Sequence, residues 1–172
     1  PVLMTVAQHR KNKNLDLRSR AYGTLHGRDQ LQAKLLIVGS AGPETESLTQ
    51  LVTELNLEKQ VLFLSGLSDG ELRWLYEHAS LFVIPSATEG FCLPLVEALT
   101  LDCPAVCSDI PIFREVGSSK CHYFSFDHQK TMPLANAMAS ALCDTVQEMQ
   151  TVDNRFSKPT ISKQLLDFYR LL

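Results

Sequence analysis

The sequence predicts one α/β domain over residues 1–172, a Rossmann-like, doubly wound parallel sheet of about six strands with helices on both faces. Short apolar runs alternate with segments of helical periodicity along the chain, which is typical of β-α-β units. The strand segments are continuously apolar rather than alternating, as expected when helices cover both faces of a sheet. The length and a hydrophobic content of 45% suit one compact core.

The strands are predicted from short apolar runs bounded by turn residues. They cover residues 2–7, 34–38, 61–64, 81–84, 104–107 and 122–126. Residues 39–42 form the turn after the second strand, and Pro85 ends the fourth. Each strand is followed by a segment long enough for a crossover, so the sheet is expected to be parallel with right-handed connections.

The helices are predicted from apolar residues at helical spacing and from capping signals. Asn14 is expected to cap the first helix, Ser68 and Glu71 form a capping box before the third, and Pro94 marks the start of the fourth. The apolar stripes are Leu17, Ala21 and Leu25; Leu48, Leu51, Val52 and Leu55; Leu72, Leu75, Tyr76 and Ala79; and Val96 and Leu99. A short helix or turn at 112–116 and two closing helices, at about 133–147 and 159–171 with a polar loop at 150–158, complete the prediction.

Charge and cysteine usage exclude several classes of function. The net charge of −3 gives no global basic field for nucleic acid or an anionic membrane. No stretch reaches the roughly 18–20 apolar residues of a membrane span, and no secretory signal is present. The five cysteines lack a C-x-x-C pair and zinc-ligand spacing, so we expect reduced thiols, no metal site and a cytoplasmic protein.

The strongest candidate site follows the fourth strand, because parallel sheets bind ligands at the carboxyl ends of their strands. Residues 85–98 hold Glu89 in a loop and Glu97 inside the next helix. The N–H groups of Phe91, Cys92 and Leu93 would lie at the start of that helix, where the dipole favours a diphosphate. Glu97 could accept from ribose hydroxyls and Glu89 from sugar hydroxyls. Spacing alone leaves open that both are ordinary surface carboxylates.

The residues from Glu89 to Ala98 (EGFCLPLVEA) resemble the E-G-F-G-L-P-x-x-E-A signature of family 4 glycosyltransferases, which have the GT-B fold. The similarity extends along nearly the whole chain. It includes the segments LLIVG at 35–39, VLFLSG at 61–66, FVIPS at 82–86, PAVCSD at 104–109, EVG at 115–117 and the ending at 156–169. The joint pattern is specific, whereas the spacing of the two glutamates is not.

The resemblance implies one half of a GT-B fold, the C-terminal domain that holds the donor. Such enzymes move a sugar from a nucleotide diphosphate to an acceptor hydroxyl with retention of configuration, and they need no metal or other cofactor. Glu97 would bind the ribose, Glu89 would contact the donor sugar, and Lys13 would stabilise the diphosphate as the bond breaks. The remaining donor-binding candidates are Gly90, Phe91, Cys92, Leu93, Arg10, Gly39, Ser40, Ser65 and Leu67.

Three features differ from the family pattern. Gln8 occupies the position of an arginine that usually precedes the lysine by five residues, and Arg10 lies close enough in sequence to replace it. Cys92 stands where the signature has glycine. The N-terminal domain that binds the acceptor is missing, so we expect a fragment that cannot catalyse transfer alone.

The predicted function is therefore glycosyl transfer, with this domain binding the nucleotide sugar. The acceptor is a sugar, a lipid or a polysaccharide, and the full-length protein can lie peripherally at the membrane. The alternative is a non-catalytic nucleotide-sugar-binding or regulatory module of the same fold. An NAD-linked oxidoreductase is disfavoured because no G-x-G-x-x-G follows the first strand. The sequence leaves open whether His9 contacts the donor or the acceptor, and whether Trp74 contacts a partner domain.

Overall fold

A computed structural model describes residues 1–27, 31–126 and 130–144. The strands are β1 (Val2–Val6), β2 (Lys34–Val38), β3 (Val61–Leu64), β4 (Leu81–Ile84), β5 (Ala105–Ser108) and β6 (Cys121–Phe124). The helices are α1 (Leu15–His26), α2 (Thr45–Glu54), α3 (Asp69–His78), α4 (Leu93–Thr100), α5 (Pro111–Gly117) and α6 (Met132–Asp144), with 3₁₀ turns at Lys11–Lys13 and Ser118–Lys120. The predicted helix at 159–171, the loop at 150–158 and the end of the helix at 133–147 lie outside the described residues.

The six strands form one sheet in the order β3-β2-β1-β4-β5-β6, and every neighbouring pair is parallel. Strand β1 pairs with β2 on one side, where Val2 lies opposite Lys34, and with β4 on the other, where Leu3 lies opposite Leu81. The strand order therefore reverses at β1 and β4. This arrangement confirms the predicted doubly wound fold and puts the switch point between these two strands.

Two hydrophobic layers sandwich the sheet, as the continuously apolar strands predict. On one face α1, α2 and α6 pack on side chains such as Ile37 and Val83. On the other face α3, α4 and α5 pack on Phe82, Ile84 and Cys107. Successive strand residues point to opposite layers, so both layers of helices are held by the same strands.

The edge strand β3 departs from the expectation that both sheet faces are covered. Leu62 and Phe63 are 44% and 36% exposed, although their sequence is as apolar as that of the central strands. Strand β3 has a neighbour on one side only, so helices that cover the centre of the sheet reach it incompletely. Boundaries elsewhere differ from the prediction by one or two residues, as at β1, β5 and β6.

Helices α1 and α3 both begin at the predicted positions, but of the two only α3 has a side-chain cap. Ser68 accepts from the backbone N–H of Glu71, whose carboxylate accepts from the backbone N–H of Ser68, which is a complete capping box. Asn14 precedes α1, but its side chain makes no capping hydrogen bond and its φ is 45°. Its amide donates instead to the Pro85 carbonyl at 2.8 Å. Asn14 therefore occupies the predicted N-cap position of α1, but its side chain contacts the loop after β4 instead of capping the helix.

Arg18, on α1, is fully buried. Within the described part of the chain, its three guanidinium nitrogens have no hydrogen-bond partner. Burial lowers the pKa of Arg18 to about 9, and the charge of Asp16 opposes that change. A guanidinium with this pKa is still charged at neutral pH, so Arg18 is a buried cation without a hydrogen-bond partner among the described residues.

Candidate donor-binding site

A cleft opens at the carboxyl ends of the strands, at the switch point between β1 and β4. Its volume is about 540 Å³. It is lined by Val6, Ala7, Gln8, Arg10, Asn12, Lys13, Gly39 and Pro94. The lining thus combines the loop after β1, the turn after β2 and the start of α4, which is where a doubly wound sheet binds nucleotides.

Hydrogen bonds tie the loop after β1 to the loop after β4. The backbone N–H of Ala87 donates to the Asn12 carbonyl at 2.9 Å, and the Asn12 amide reaches the Thr88 carbonyl at 3.4 Å. The bond from Asn14 to Pro85 adds a third, buried contact. These bonds cross the switch point and fix the position of both loops relative to each other.

Lys13 and Glu89 form an ion pair across the same two loops. The Lys13 Nζ donates to Glu89 Oε1 at 2.6 Å, and the two side chains are only 23% and 11% exposed. Partial burial weakens solvent screening, so this pair interacts more strongly than surface pairs do. The two residues assigned to the reacting centre are therefore in contact, although 76 residues separate them in sequence.

Gly39 allows the turn after β2 to approach the loop after β1. A Cβ atom at Gly39 would lie 2.1 Å from the Ala7 carbonyl oxygen. Any side chain would therefore push the two loops apart, and the floor of the cleft requires glycine here. Gly39 lines the cleft, and its contact with a donor stays a prediction.

Pro94, in the first turn of α4, lines the cleft. The loop residues Gly90, Phe91 and Cys92 directly precede this helix. The first turn of a helix leaves N–H groups without intrahelical partners, and the dipole makes that end positive. Pro94 has no N–H, so the N–H of Leu93 is the donor that the first two residues of α4 offer. An anion in the cleft would meet these groups from one side and Lys13 from the other.

Cys92 immediately precedes α4 with φ 65° and ψ 68°, in the left-handed region. Its thiol is close enough to Lys13, Glu89 and Glu97 for all three charges to affect its pKa. Burial is the main effect and raises the pKa of Cys92 to about 12. The thiol is therefore neutral at physiological pH, which disfavours Cys92 as a nucleophile.

The backbone conformation of Cys92 leads to a stability prediction. We expect Cys92→Gly to be about 1 kcal/mol more stable than Cys92→Ala, because only glycine adopts the left-handed region without steric cost. Both variants remove the thiol, so the comparison isolates the backbone. Urea unfolding of the two variants measures the difference, and equal stabilities would show that this residue is not left-handed in solution.

Glu97 lies on α4, one turn from its start, and is exposed. Its Oε2 accepts a hydrogen bond of 2.9 Å from the hydroxyl of Tyr76, on α3. The charges of both Glu97 and Glu89 raise the pKa of Cys92, the residue before α4, so both carboxylates lie near the start of that helix. Their roles as a ribose contact and a sugar contact stay predictions.

Arg10 lines the cleft, and its Nε donates to Gln8 Oε1 at 2.6 Å. The guanidinium therefore lies beside the residue that replaces the family's arginine. A cation is present next to that position even though the sequence there reads glutamine.

Of the predicted site residues, Arg10, Lys13 and Gly39 line the cleft, whereas Glu89, Glu97 and residues 90–93 are not part of its lining. Ser40 and Ser65 are also exposed outside it, and Leu67 borders a separate apolar pocket beside α3 together with Trp74. His9 is a correction: it is buried, its Nδ1 lies 2.9 Å from Thr45 Oγ1, and its ring meets Phe63 edge-on. Burial, with the charge of Arg18, lowers the pKa of His9, and the side chain lies in the core rather than in the lining of the cleft.

Sequence reasoning missed the roles of Asn12 and Tyr76. Asn12 follows a basic residue in a polar loop, and nothing in that pattern indicates that it joins two loops. Tyr76 was assigned only to an apolar stripe, but a tyrosine on a buried stripe needs a partner for its hydroxyl. That requirement is the signal that could have directed attention to Glu97.

Within 1–27, 31–126 and 130–144, no three His, Cys, Asp or Glu side chains are grouped so that they could hold a metal ion. Over the same ranges no helix has the length and apolar character needed to cross a bilayer.

With the site described, comparison with known proteins decides the family. The model of the glycosyl transferases group 1 family matches residues 1–158. The chain belongs to this family. The match covers the loop after β1, the cleft and both glutamates, and so confirms the resemblance that the signature at 89–98 indicates.

Curated relatives include bacterial sugar transferases. The O-antigen chain mannosyltransferase RfbU of Salmonella typhimurium is 34% identical over 122 residues, which are 71% of this chain and 35% of that protein. The D-inositol 3-phosphate glycosyltransferase of Corynebacterium urealyticum is 28% identical over 140 residues, 78% of this chain and 33% of that protein. The chain thus spans about a third of the length of these glycosyltransferase family members.

Solved structures share the fold. Sucrose-phosphate synthase from Thermosynechococcus elongatus superposes with a TM-score of 0.82 at 23% identity, over 99% of this chain and 45% of that one. The pneumococcal O-GlcNAc transferase GtfA, solved with UDP and GlcNAc, gives 0.70 at 20% identity, over 98% of this chain and 34% of that one. At these identities the similarity establishes the α/β fold.

Proposed function

We propose that this chain is the donor-binding domain of a retaining, metal-independent glycosyltransferase. The donor is a nucleoside diphosphate sugar, and the acceptor hydroxyl belongs to a sugar, a lipid or a polysaccharide. One observation carries the proposal: Lys13, which lines the cleft together with Pro94 at the start of α4, is paired with Glu89 at 2.6 Å. A cation, a helix start and a carboxylate together fit a diphosphate joined to a sugar.

Binding of the donor exchanges partners within this cleft. The diphosphate accepts hydrogen bonds from Lys13 and from the N–H groups at Gly90 to Leu93, while Glu89 turns to the hydroxyls of the sugar. As the glycosidic bond breaks, negative charge grows on the diphosphate, and the fixed cation stabilises it more than it stabilises the bound donor. Glu97 accepts from the ribose hydroxyls.

Arg10 supplies the second cation. The alternative of a non-catalytic module of this fold drew its support from Gln8, which replaces an arginine. Because Arg10 lies against Gln8 in the cleft, positive charge is available there and transfer chemistry is the better-supported function. The acceptor-binding half would come from another part of the protein, since the chain spans about a third of its relatives.

The choice of donor follows from the relatives. Several are named mannosyltransferases, so a nucleotide-activated mannose is the first donor to test. Titration calorimetry of the chain with UDP, GDP, ADP and dTDP tests binding. No heat with any of them at millimolar concentration would contradict the proposal.

Glu97→Gln tests the ribose assignment. It removes the charge but keeps the shape, so we expect about tenfold weaker binding of the preferred diphosphate, since hydrogen bonds to charged groups are the stronger ones. Glu46→Gln, on the exposed side of α2, is the matched control and is expected to bind as the unchanged chain does. Equal affinities for the Glu97 variant and the unchanged chain would contradict the assignment.

A further inference from the structure

Tyr76 is the buried side chain that reaches the candidate site from the core. It lies on α3 and is 1% exposed, with its ring edge-on to Phe82 at 5.3 Å between centroids. Phe82 is itself fully buried in the centre of the sheet. The tyrosine ring is therefore held by packing against a strand residue, and this packing fixes the position of its hydroxyl.

The hydroxyl of Tyr76 donates to Glu97 Oε2 at 2.9 Å. Burial, then the charge of Glu97 and this hydrogen bond, raises the pKa of Tyr76 well above its ordinary value. The hydroxyl accordingly keeps its proton over the whole working range and acts as a donor to the carboxylate. A carboxylate with one oxygen held in this way loses most of its freedom to rotate.

Glu97 needs such a restraint because it is exposed on a helix surface. Within the described ranges its one side-chain hydrogen bond is the bond from Tyr76, and it forms no ion pair. Each carboxylate oxygen has two lone-pair directions, so Oε1 and the second site on Oε2 remain available to a ligand. The geometry provides a carboxylate that is oriented by the core and open on its other side.

We propose that Tyr76 is a positioning residue that orients Glu97 for two neighbouring hydroxyls of the ligand, the ribose diol of the donor. This inference rests on the proposed function, because it assigns a role within the same site. It adds a residue from α3 to the recognition of the nucleotide. Orientation before binding reduces the entropy lost when the diol is held.

The test is Tyr76→Phe, with binding of the preferred diphosphate compared with binding of its 2′,3′-dideoxy analogue by titration calorimetry. We expect about tenfold weaker binding of the ribose form, the scale of one charge-assisted hydrogen bond that orients a ligand. The dideoxy form has no hydroxyls for Glu97 to accept from, so its affinity is expected to stay the same. In a chain that already carries Glu97→Gln, adding Tyr76→Phe is expected to change the affinity for the ribose-containing diphosphate little.

Tyr123→Phe is the matched control. Its hydroxyl lies 3.0 Å and 2.8 Å from the carbonyl oxygens of Phe113 and Ser118, whereas the hydrogen bond to Glu97 comes from Tyr76. Tyr123→Phe also removes a hydrogen-bonded tyrosine hydroxyl. We expect it to lower the stability of the fold without changing the preference for the ribose-containing diphosphate over its dideoxy analogue.

The outcomes separate the inference from the function. Equal weakening of ribose and dideoxy forms by Tyr76→Phe would show that Tyr76 only supports the fold, and no weakening of either would show that Glu97 needs no positioning. Both results overturn the inference and leave the proposed function intact. Absence of binding by the unchanged chain overturns both.

Discussion

Changing Lys13 to alanine is expected to weaken binding of a nucleoside diphosphate about 10- to 100-fold, while binding of the corresponding nucleoside stays the same. Hydrogen bonds to charged groups contribute about 1.5–3 kcal/mol, which corresponds to roughly that range of affinity. The change also leaves Glu89, 11% exposed, without its cation and next to the incoming phosphates. Titration calorimetry with diphosphate and nucleoside at one ionic strength measures both effects.

Combining changes at Lys13 and Glu89 tests whether their ion pair is coupled to phosphate binding. In Lys13→Ala, the carboxylate of Glu89 repels the diphosphate, so adding Glu89→Gln is expected to recover part of the lost affinity. In the unchanged chain the same Glu89→Gln frees Lys13 from its partner and is expected to strengthen binding of the diphosphate alone. Additive effects of the two changes would show that the pair is not coupled to phosphate binding.

Lys11→Ala is the control for total charge. Lys11 lies in the same 3₁₀ turn as Lys13, but it is exposed and does not line the cleft. Both variants lower the net charge equally, so only a specific contact distinguishes them. If Lys11→Ala weakened the diphosphate as strongly as Lys13→Ala, the loss would reflect the long-range field of the protein and the site would be wrongly assigned.

The strands could be predicted because their residues form local apolar runs in the sequence. The apolar runs at 34–38, 61–64 and 81–84 coincide with β2, β3 and β4. Exposure along β3 could not be predicted, since it depends on strand order rather than on the residues of β3. The capping box at Ser68 is local and was predictable, whereas Asn14 binds a carbonyl 71 residues away.

The sequence indicates individual residues of the candidate site, but it does not indicate which of them contact each other. The family signature indicates Glu89 and Glu97, and the resemblance indicates Lys13. That Lys13 contacts Glu89 and that Tyr76 holds Glu97 depends on how β1, α3 and α4 meet at the switch point. His9 shows the reverse case, because its position after β1 suggested a ligand contact while the approach of α2 buries it against Thr45.

Arg18 could not be anticipated from periodicity. The predicted stripe of α1 consists of Leu17, Ala21 and Leu25, and these three are buried as expected. Arg18 is adjacent to that stripe, and charged residues of this kind are almost never fully buried without a partner. Its burial follows from coverage of α1 by α2 and α6 on both flanks, which no local pattern reveals.

Arg18→Leu is expected to stabilise the fold by about 2–4 kcal/mol, because a buried charge without a hydrogen-bond partner among the described residues is replaced by an apolar side chain. For a chain of this size that corresponds to a rise in Tm of roughly 5–15 °C. Thermal unfolding followed by circular dichroism measures it. Arg20→Leu, on the exposed side of the same helix, is the control and is expected to change stability by less than about 0.5 kcal/mol.

The dependence on pH identifies the cause of that gain. The pKa of Arg18 falls from 12.5 to about 9 on folding, so between these values the unfolded chain binds a proton that the folded chain lacks. Stability contributed by this group therefore rises with pH above about 9, and below it the full cost of the buried charge is present. The stability difference between Arg18→Leu and the unchanged chain is accordingly expected to be constant from pH 6 to 8 and to shrink as pH rises through 9–10.5. A gain that stayed constant to pH 10.5 would indicate improved packing as its source, and a loss of stability would mean that the guanidinium has a partner in solution.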